Sequence, residues 1–360
     1  MKKSNSCESI KKPLFAAANS GNGFVSFYSD IFGGAEIKKR YIIKGGPGTG
    51  KSSFMKKVAS FAESHGSSVE VYMCSSDPDS VDGIIIDRKI AIIDGTAPHS
   101  EDADIPGARD EILNLGVFWR DEPLMERFEE ISCLSSQKSA AYRKAYRYLS
   151  AGLEIENINF TILDGTVKKD KMRGAADRIV EKIPKGKGGR VLAGLEGSLG
   201  MKGSVRINSY IQQSQRVYVI DDYYNSSSLF LAEIADAGLK NENVMRVSYN
   251  HISARRLDAV LFVESGICFV VEGNVNTSDL VNANRINMKR FIDSEAIGPH
   301  KTELRGNFRM ISALISDASS AMKKAGEYHF LLEEIYKGCM DFNALNCFCE
   351  TFCEKLIKYL

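Results

Sequence analysis

One stretch of this chain, residues 41–66, constrains its fold more than any other part of the sequence. Residues 41–43, Tyr-Ile-Ile, form an apolar run that is typical of a buried β-strand. Residues 45–52 then match the spacing G-x-x-x-x-G-K-[ST], and apolar side chains recur after them with a helical period until Gly66. This order of strand, glycine-rich loop and helix predicts an α/β fold with a parallel sheet.

The residue types in this loop are those that bind phosphate groups, although a chance glycine-rich turn is the alternative. Glycines let backbone N–H groups point at phosphate oxygens in a turn that larger side chains would crowd. The N-terminus of the next helix adds a partial positive charge. We expect Lys51 to reach the β- and γ-phosphates of a nucleoside triphosphate and the Ser52 hydroxyl to bind Mg²⁺. The predicted binding residues are Gly45, Gly46, Pro47, Gly48, Thr49, Gly50, Lys51, Ser52 and Ser53.

A magnesium site of this kind needs a carboxylate at the end of a neighbouring strand. The apolar run at residues 90–93 ends on Asp94, which we predict to be the second Mg²⁺ ligand, with a plain turn as the alternative. Gly95 follows, at the position where many motor ATPases carry a water-activating glutamate. The sequence therefore favours a kinase, a slow switch or a base from elsewhere over vigorous hydrolysis.

The residues after Asp94 fall where the ligand crevice of a parallel sheet is expected. His99 could orient water, sense the γ-phosphate or contact a substrate, and Asp110 or Glu111 could act as the missing base. Simpler roles are open, since His99 could cap a turn and the two acids could begin a helix. The catalytic candidates are Lys51, Asp94, His99 and Glu111.

The 360 residues exceed the length of one ordinary domain, and a Gly/Lys-rich stretch at residues 184–190 divides them almost in half. Strand-like runs recur across this division: 40–43 with 216–220, 69–74 with 244–249, and 90–95 with 267–273. We predict two tandem domains, residues 1–186 and 187–360. Each is expected to be a three-layer α/β/α unit with a parallel sheet, followed by helices.

The second half lacks the phosphate-binding residues of the first. Residues 222–229, Asp-Tyr-Tyr-Asn-Ser-Ser-Ser-Leu, stand opposite residues 45–52, so that Ser228 replaces Lys51 and Leu229 replaces Ser52. Asp222 would also bring negative charge to the loop. We therefore expect one phosphate-binding site per chain. The second half would be a docking surface, a structural partner or a site for another ligand.

Three other segments have a functional and a structural interpretation. Residues 75–80 could contact substrate or ribose, but Asp-Pro and serines favour a turn. Basic residues and tyrosines alternate at 138–147 and could bind phosphate or nucleic acid, although a solvated helix with inward tyrosines is favoured. The nearest match to the guanine motif [NT]-K-x-D, residues 167–170, begins with valine, which favours ATP over GTP. The residues of the second segment are Lys138, Arg143, Lys144 and Arg147 with Tyr142, Tyr146 and Tyr148.

The composition limits the classes of partner that the chain is expected to bind. Net charge is +1, with 44% apolar and 26% charged residues, which indicates a globular protein with no clear nucleic-acid partner. No apolar run approaches a membrane span, and residues 1–7 lack the apolar region of a signal peptide. The cysteines lack the paired spacing of a disulfide framework, which is typical of reduced thiols, so we expect a cytoplasmic location. Buried thiols are favoured over a metal site at Cys339, Cys347, Cys349 and Cys353.

Residues 41–53 resemble the P-loop NTPase superfamily, and Asp94 matches its second motif. More broadly, the chain resembles a family of bacterial proteins with two P-loop-type halves that are often described as ATPases. That resemblance rests on residues 44–52, on residues 94–99 (Asp-Gly-Thr-Ala-Pro-His), and on a late helix with Tyr336 and Met340-Asp341-Phe342. It implies two tandem P-loop NTPase-like domains. Relatives carry an intact loop in each half, whereas this sequence departs from that pattern at residues 222–229.

Three functions are consistent with these features. The leading one is a cytoplasmic Mg-ATP-binding protein that acts as a slow ATPase or nucleotide-dependent switch, with one competent site in the N-terminal half. The second is a kinase that transfers the γ-phosphoryl group of ATP to a small molecule or nucleotide. The third is a non-catalytic ATP-binding adaptor with an unidentified protein partner. All three predict ATP and Mg²⁺ as ligands.

Overall fold

The computed structural model describes residues 13–250, 252–253, 256–274 and 283–359, so the prediction made for residues 1–7 lies outside it. The first half contains β1 (Leu14–Phe15), β2 (Ala17–Ser20), β3 (Gly23–Ser26), α1 (Tyr28–Phe32), β4 (Lys39–Lys44), α2 (Lys51–Ser64), β5 (Val69–Met73), β6 (Val81–Ile86), β7 (Ile90–Asp94), β8 (Asp110–Asn114), α3 (Asp121–Glu126), α4 (Phe128–Asp164) and α5 (Lys169–Val180).

The second half presents its elements in the same order. They are β9 (Arg190–Ala193), β10 (Gly197–Gly200), β11 (Gly203–Arg206), α6 (Ser209–Gln212), β12 (Arg216–Asp221), α7 (Ser227–Lys240), β13 (Val244–Tyr249), β14 (Leu257–Phe262), β15 (Ile267–Val271), β16 (Asn284–Asn287), α8 (Ser294–Ile297), α9 (Lys301–Gly338) and α10 (Phe342–Leu356). Short 3-10 turns lie at Leu115–Phe118, Glu272–Asn274, Met288–Phe291, Gly298–His300 and Ile357–Tyr359.

The two halves build six-stranded sheets of the same design. The first has the strand order β1-β5-β6-β7-β4-β8, and the second has the order β9-β13-β14-β15-β12-β16 when it is read from the corresponding edge. Pairing register repeats as well, because Lys39 of β4 lies opposite Ile90 and Arg216 of β12 lies opposite Ile267. The predicted α/β class is confirmed, and both sheets are mostly parallel.

The prediction of wholly parallel sheets is wrong for one strand in each half. β6 runs antiparallel to both of its neighbours, and so does β14. The connection from β6 to β7 is a tight turn in which Asp87 and Arg88 have positive φ angles. A turn this short reverses the chain, whereas a parallel pair needs a crossover of about a dozen residues or more.

The hydrophobic cores show that the C-terminal helices of the two halves are exchanged. On one face of the first sheet, Tyr41 and Phe54 pack against Phe352 of α10, which belongs to the second half. On the second sheet, Met172 of α5, from the first half, lies in the same core as Phe230. A third core contains residues of both sheets. Separate domains at 1–186 and 187–360 stay a prediction.

The exchange depends on the two long helices, α4 and α9, which pack antiparallel. Asn159 near the end of α4 accepts a hydrogen bond from Asn307 near the start of α9, at 2.7 Å. Ala145, earlier on α4, packs in a core with Met322, later on α9. Each long helix therefore carries the chain from its own sheet to the other one. No helix within the described ranges is both long and apolar enough to cross a membrane.

Candidate functional site

The glycine-rich loop, residues 45–50, joins the end of β4 to the start of α2 as the sequence predicted. Gly48 and Gly50 have φ angles of 72° and 79°, which L side chains rarely adopt. A Cβ atom on Gly48 would also lie 2.7 Å from the carbonyl oxygen of Glu333 on α9. The loop conformation and the close approach of α9 therefore both require glycine here.

Lys51 and Asp94 come together at this loop. The Lys51 Nζ donates hydrogen bonds to the carbonyl oxygens of Gly45 and Gly46, at 2.9 and 2.8 Å, and lies 3.6 Å from Asp94 Oδ2. The other oxygen of Asp94 accepts from the backbone N–H and hydroxyl of Thr96, at 2.9 and 2.6 Å. Because β4 and β7 are parallel neighbours, their carboxyl ends meet at one edge of the sheet.

Ser52 supplies a second oxygen at the same place. Its Oγ accepts a hydrogen bond from the backbone N–H of Val81 at 2.9 Å, and a hydroxyl oxygen keeps a further lone pair. Both Ser52 and Asp94 line the cavity that the loop opens into. Hydroxyl and carboxylate oxygens are the ligands that Mg²⁺ prefers, so the residues present fit this cation.

The cavity at the loop has a volume of about 900 Å³ and is bounded by both halves of the chain. Most of its lining comes from the first half, at the loop, the strand ends and α4. The second half contributes Met201, His329, Glu333, Lys337 and Phe342. This volume is near the upper end of the range for small-molecule sites. The exchange of helices thus completes the walls of the site.

One side of this cavity, which we call the α4 wall, is formed by Lys138, Ser139, Tyr142, Arg143 and Tyr146. The sequence favoured a solvated helix face with inward tyrosines here. Arg143, Lys144 and Arg147 are exposed, as that interpretation predicts, whereas Lys138 is half-buried and lines the cavity. Burial lowers the pKa of Lys138, and the nearby charge of Lys51 lowers it further. Helical periodicity separates the buried side of a helix from its exposed side, but only the packing of α4 decides what the buried side contacts.

His99 lies in the cavity wall and is buried there. Its Nε2 is 3.3 Å from Asp82 Oδ2, and its ring stacks on Tyr28 with 4.8 Å between centroids. Burial lowers the pKa of His99, but the hydrogen bond and charge of Asp82 and the charge of Asp94 outweigh it, so the pKa is raised overall. His99 thus joins the cluster that contains Lys51 and Asp94.

Asp82 is a site residue that the sequence reasoning missed. It lies in a β-bulge of β6, where the pairing register shifts between Tyr72 and Met73, and bulges re-aim side chains beside functional sites. A signal was present, because Asp82 is the one acid in an otherwise apolar strand and Asp258 holds the corresponding place in β14. In the second half, Asp258 binds Arg206 instead.

The structure does not bring Glu111 or Asp110 to the cavity. Glu111 pairs with Lys39 at 3.2 Å and with Lys355 of α10 at 3.1 Å, while Asp110 accepts from Arg40 at 3.0 Å. Both acids begin β8 rather than a helix, and they lie beside the start of β4. The glycine-rich loop follows the opposite end of β4. Neither acid is therefore placed to act as the missing base.

The turn after β5 and the second-half wall hold ion pairs around the cavity. Asp77 lines the cavity and is paired with Lys202 at 3.4 Å, so residues 75–80 form a turn that also meets the site. Glu333 is paired with His329 at 3.5 Å and Lys337 at 3.0 Å. The hydrogen bonds from His329 and Lys337 lower the pKa of Glu333 to about 2, against the opposing effect of burial.

The corresponding loop of the second half is closed by its own carboxylate. Asp222 accepts hydrogen bonds from the backbone N–H groups of Asn225 and Ser227, at 2.8 and 2.9 Å. These groups lie at the N-terminus of α7. In the part of the chain that the structure describes, no side chain caps the N-terminus of α2 in this way. Asp222 therefore occupies the position where an external anion would be held.

The structure corrects the sequence alignment of the two loops by one residue. The buried residues of α2 and α7 correspond at a separation of 176 positions, as with Phe54 and Phe230. Ser227 and Ser228 therefore replace Lys51 and Ser52, where the sequence comparison had placed Ser228 and Leu229. Val271 lies opposite Ile220 as Asp94 lies opposite Ile43, so Glu272 is one position beyond the counterpart of Asp94.

The cysteines near the C-terminus pack mainly in the first core. Cys339, Cys349 and Cys353 are buried, whereas Cys347 is exposed. Among the described residues, no three or more His, Cys, Asp or Glu side chains are grouped so that they could hold a metal ion.

Comparisons of this chain with protein-family models, with curated proteins and with solved structures found no match. The function proposed below therefore depends on the residues of the site alone.

Proposed function

We propose that this chain binds one Mg-ATP at the glycine-rich loop of its first half and acts as a slow ATPase or nucleotide-dependent switch of the P-loop NTPase type. The observation that carries the proposal is the position of Lys51 and Asp94, 3.6 Å apart at the carboxyl ends of two neighbouring parallel strands. The loop between β4 and α2 opens beside them into a cavity of suitable volume.

Each residue of the cluster has a proposed role. Backbone N–H groups of the loop and the N-terminus of α2 hold the phosphates, and Lys51 exchanges its two carbonyl partners for phosphate oxygens. Ser52 and Asp94 hold Mg²⁺, which neutralises charge on the phosphates when it is bound. His99 orients a water molecule, and Asp82 fixes its ring through Nε2.

The proposal favours ATP over GTP. The segment that most resembles a guanine motif, residues 167–170, lies at the start of α5 and packs on the second half. It does not line the cavity around the loop. A guanine base bound at this loop would therefore find none of the carboxylate and lysine contacts that such a motif provides.

A kinase is the second candidate function, because the predicted bases for water are not at the cavity. Gly95 follows Asp94, and neither Glu111 nor Asp110 lines the cavity, so neither of the acids predicted as a base for water is in place. His99, held by Asp82, could instead accept a proton from the hydroxyl group of an acceptor substrate. Release of phosphate without an acceptor would argue for the ATPase, whereas turnover that needs an acceptor would argue for the kinase.

Calorimetric titration of the full chain with Mg-ATP tests the binding proposal. We expect about one equivalent of nucleotide per chain and a loss of at least about 100-fold in affinity for Lys51→Ala, because the lysine contacts two phosphates. Ser227→Ala, at the corresponding position of α7, is the matched control and should leave affinity unchanged. Two equivalents per chain, or full affinity in Lys51→Ala, would contradict the proposal.

A further inference from the structure

The cations around the cavity differ in what they already contact. Lys51 is bound to Gly45, Gly46 and Asp94, Lys56 donates to the carbonyl oxygen of Asp79, and Lys337 is paired with Glu333. Lys138, on α4, is half-buried and has no hydrogen bond or ion pair within the described ranges. A partly buried ammonium group without a partner is costly, so this side chain is suited to an anion that enters the cavity.

The second half of the chain serves as an internal comparison for α4. Two matched backbone hydrogen bonds relate the halves: the N–H of Arg120 donates to the carbonyl oxygen of Cys339, and the N–H of Asp293 donates to that of Thr166, both at 2.8 Å. Arg120 and Asp293 precede α4 and α9, and Thr166 and Cys339 follow them. Each of these residues lies 173 positions from its counterpart in the other half. The same separation therefore holds along α4 and α9.

This correspondence shows what replaces the α4 wall in the second half. The counterpart of Lys138 is Ile311, which is buried. The counterparts of Tyr142, Arg143 and Tyr146 are Ile315, Ser316 and Ser319, so neither cation of the wall is kept. The cation on the long helix thus occurs in the half whose loop has the lysine and is lost in the half whose loop is closed by Asp222. Packing of the long helices does not require a lysine at this position.

Electrostatics favours an anion between Lys138 and Lys51. Both side chains line the same cavity, from the loop and from α4. The charge of Lys51 lowers the pKa of Lys138, as expected of two ammonium groups that lie near each other away from bulk water. An anion with more than one negative charge, bound between them, would remove this repulsion.

We propose that Lys138 contacts the terminal phosphate of the bound nucleoside triphosphate and makes the site select triphosphate over diphosphate. This inference rests on the proposed function. Lys51 lies over the β- and γ-phosphates in a loop of this kind, and Lys138 of the α4 wall lines the same cavity near Lys51. A cation that shares the anion with Lys51 in this way would contact the γ-phosphate, which a diphosphate lacks.

The test compares Lys138→Met with the matched control Lys144→Met in the full chain. Lys144 is an exposed cation on the same helix and does not line the cavity. Affinities are measured calorimetrically for Mg-ADP and for a non-hydrolysable Mg-ATP analogue. We expect Lys138→Met to weaken the triphosphate analogue by about 10- to 100-fold and ADP by less than about 3-fold, as for loss of one charge-assisted contact. Lys144→Met should change neither affinity, and Lys138→Arg should retain the preference for triphosphate.

The outcomes separate this inference from the proposed function. Equal losses for both nucleotides, or no loss for either, would overturn the role of Lys138 while wild-type binding still supports the nucleotide site. Retained ADP binding in Lys138→Met also shows that the variant is folded. If the wild-type chain binds neither nucleotide, the proposed function fails, and the role of Lys138 fails with it.

Discussion

The two loops at the carboxyl ends of β4 and β12 have corresponding places in the fold and opposite chemistry. In the first, glycines shape the turn and the N-terminus of α2 carries no side-chain cap within the described residues. In the second, Asp222 accepts hydrogen bonds from the backbone N–H groups of Asn225 and Ser227. One carboxylate inside the loop satisfies the same kind of backbone donors that an external phosphate would. A strand–loop–helix unit therefore keeps its architecture when the residues of its loop change.

The comparison extends beyond the loops. Asp94 corresponds to Val271 and Lys138 to Ile311, so a carboxylate and a cation of the first half are both apolar in the second. The β-bulge, in contrast, carries an aspartate in both halves, as Asp82 and Asp258. The halves share the strand order and the pairing register of their sheets. What they do not share is the set of charges that surrounds the first loop.

The largest expected effect tests the exchange of the C-terminal helices. Phe352→Ala should reduce the free energy of unfolding by about 3–5 kcal/mol, because Phe352 is buried against Tyr41 and Phe54. Ile179→Ala, at the corresponding position of α5, should cost less because Ile179 is only partly buried. Urea denaturation measures both values. A larger loss of stability in Ile179→Ala than in Phe352→Ala would contradict the tighter burial of α10 against the first sheet.

The next effect concerns the carboxylate that the second half lacks. Asp94→Asn should weaken Mg-ATP binding by about 10- to 100-fold, the range seen when groups that support a metal are removed. Chelation of Mg²⁺ should weaken binding to the wild-type chain and have little further effect on Asp94→Asn. Glu272→Gln, one position beyond the counterpart of Asp94, is the control and should bind like the wild type. An Asp94→Asn variant that keeps its response to Mg²⁺ would exclude Asp94 as a ligand.

A smaller effect is expected at the closed loop. Asp222→Ala should destabilise the chain by about 1 kcal/mol, because two N–H groups near the start of α7 lose their acceptor. Chemical denaturation measures the loss. Affinity for Mg-ATP at the first loop should be unchanged. A second nucleotide equivalent in Asp222→Ala would show that the carboxylate alone had excluded the ligand from the second half.

The smallest effect is a dependence of stability on pH. The pKa of His99 is raised above its ordinary value of about 6.5, since Asp82 and Asp94 outweigh burial. The folded chain therefore holds the proton more tightly than the unfolded chain does. The stabilisation is complete below the unfolded value and is lost as the pH rises through the raised folded value. Unfolding free energies of wild type and Asp82→Asn, measured from about pH 6 to about pH 9, should show a weaker loss in the variant.

The loop was the most predictable part of the site, because its residues are local in sequence. Spacing and flanking periodicity were enough to place residues 45–52 between a strand and a helix and to put Asp94 at the end of a neighbouring strand. Glu111 could not be placed in this way. Whether an acid after β7 returns to the crevice or pairs with Lys39 and Lys355 depends on where β8 adds to the sheet.

The sequence by itself determined the α/β class, the repeated order of strands, the position of the glycine-rich loop and the loss of its lysine in the second half. These properties are carried by short-range patterns of apolar residues, glycines and charges. Only the tertiary structure decided that β6 and β14 are antiparallel, that α5 and α10 are exchanged, and that Lys138 faces the cavity of Lys51. Those features depend on contacts between residues far apart in the chain, and periodicity records which side of a helix is buried but not what buries it.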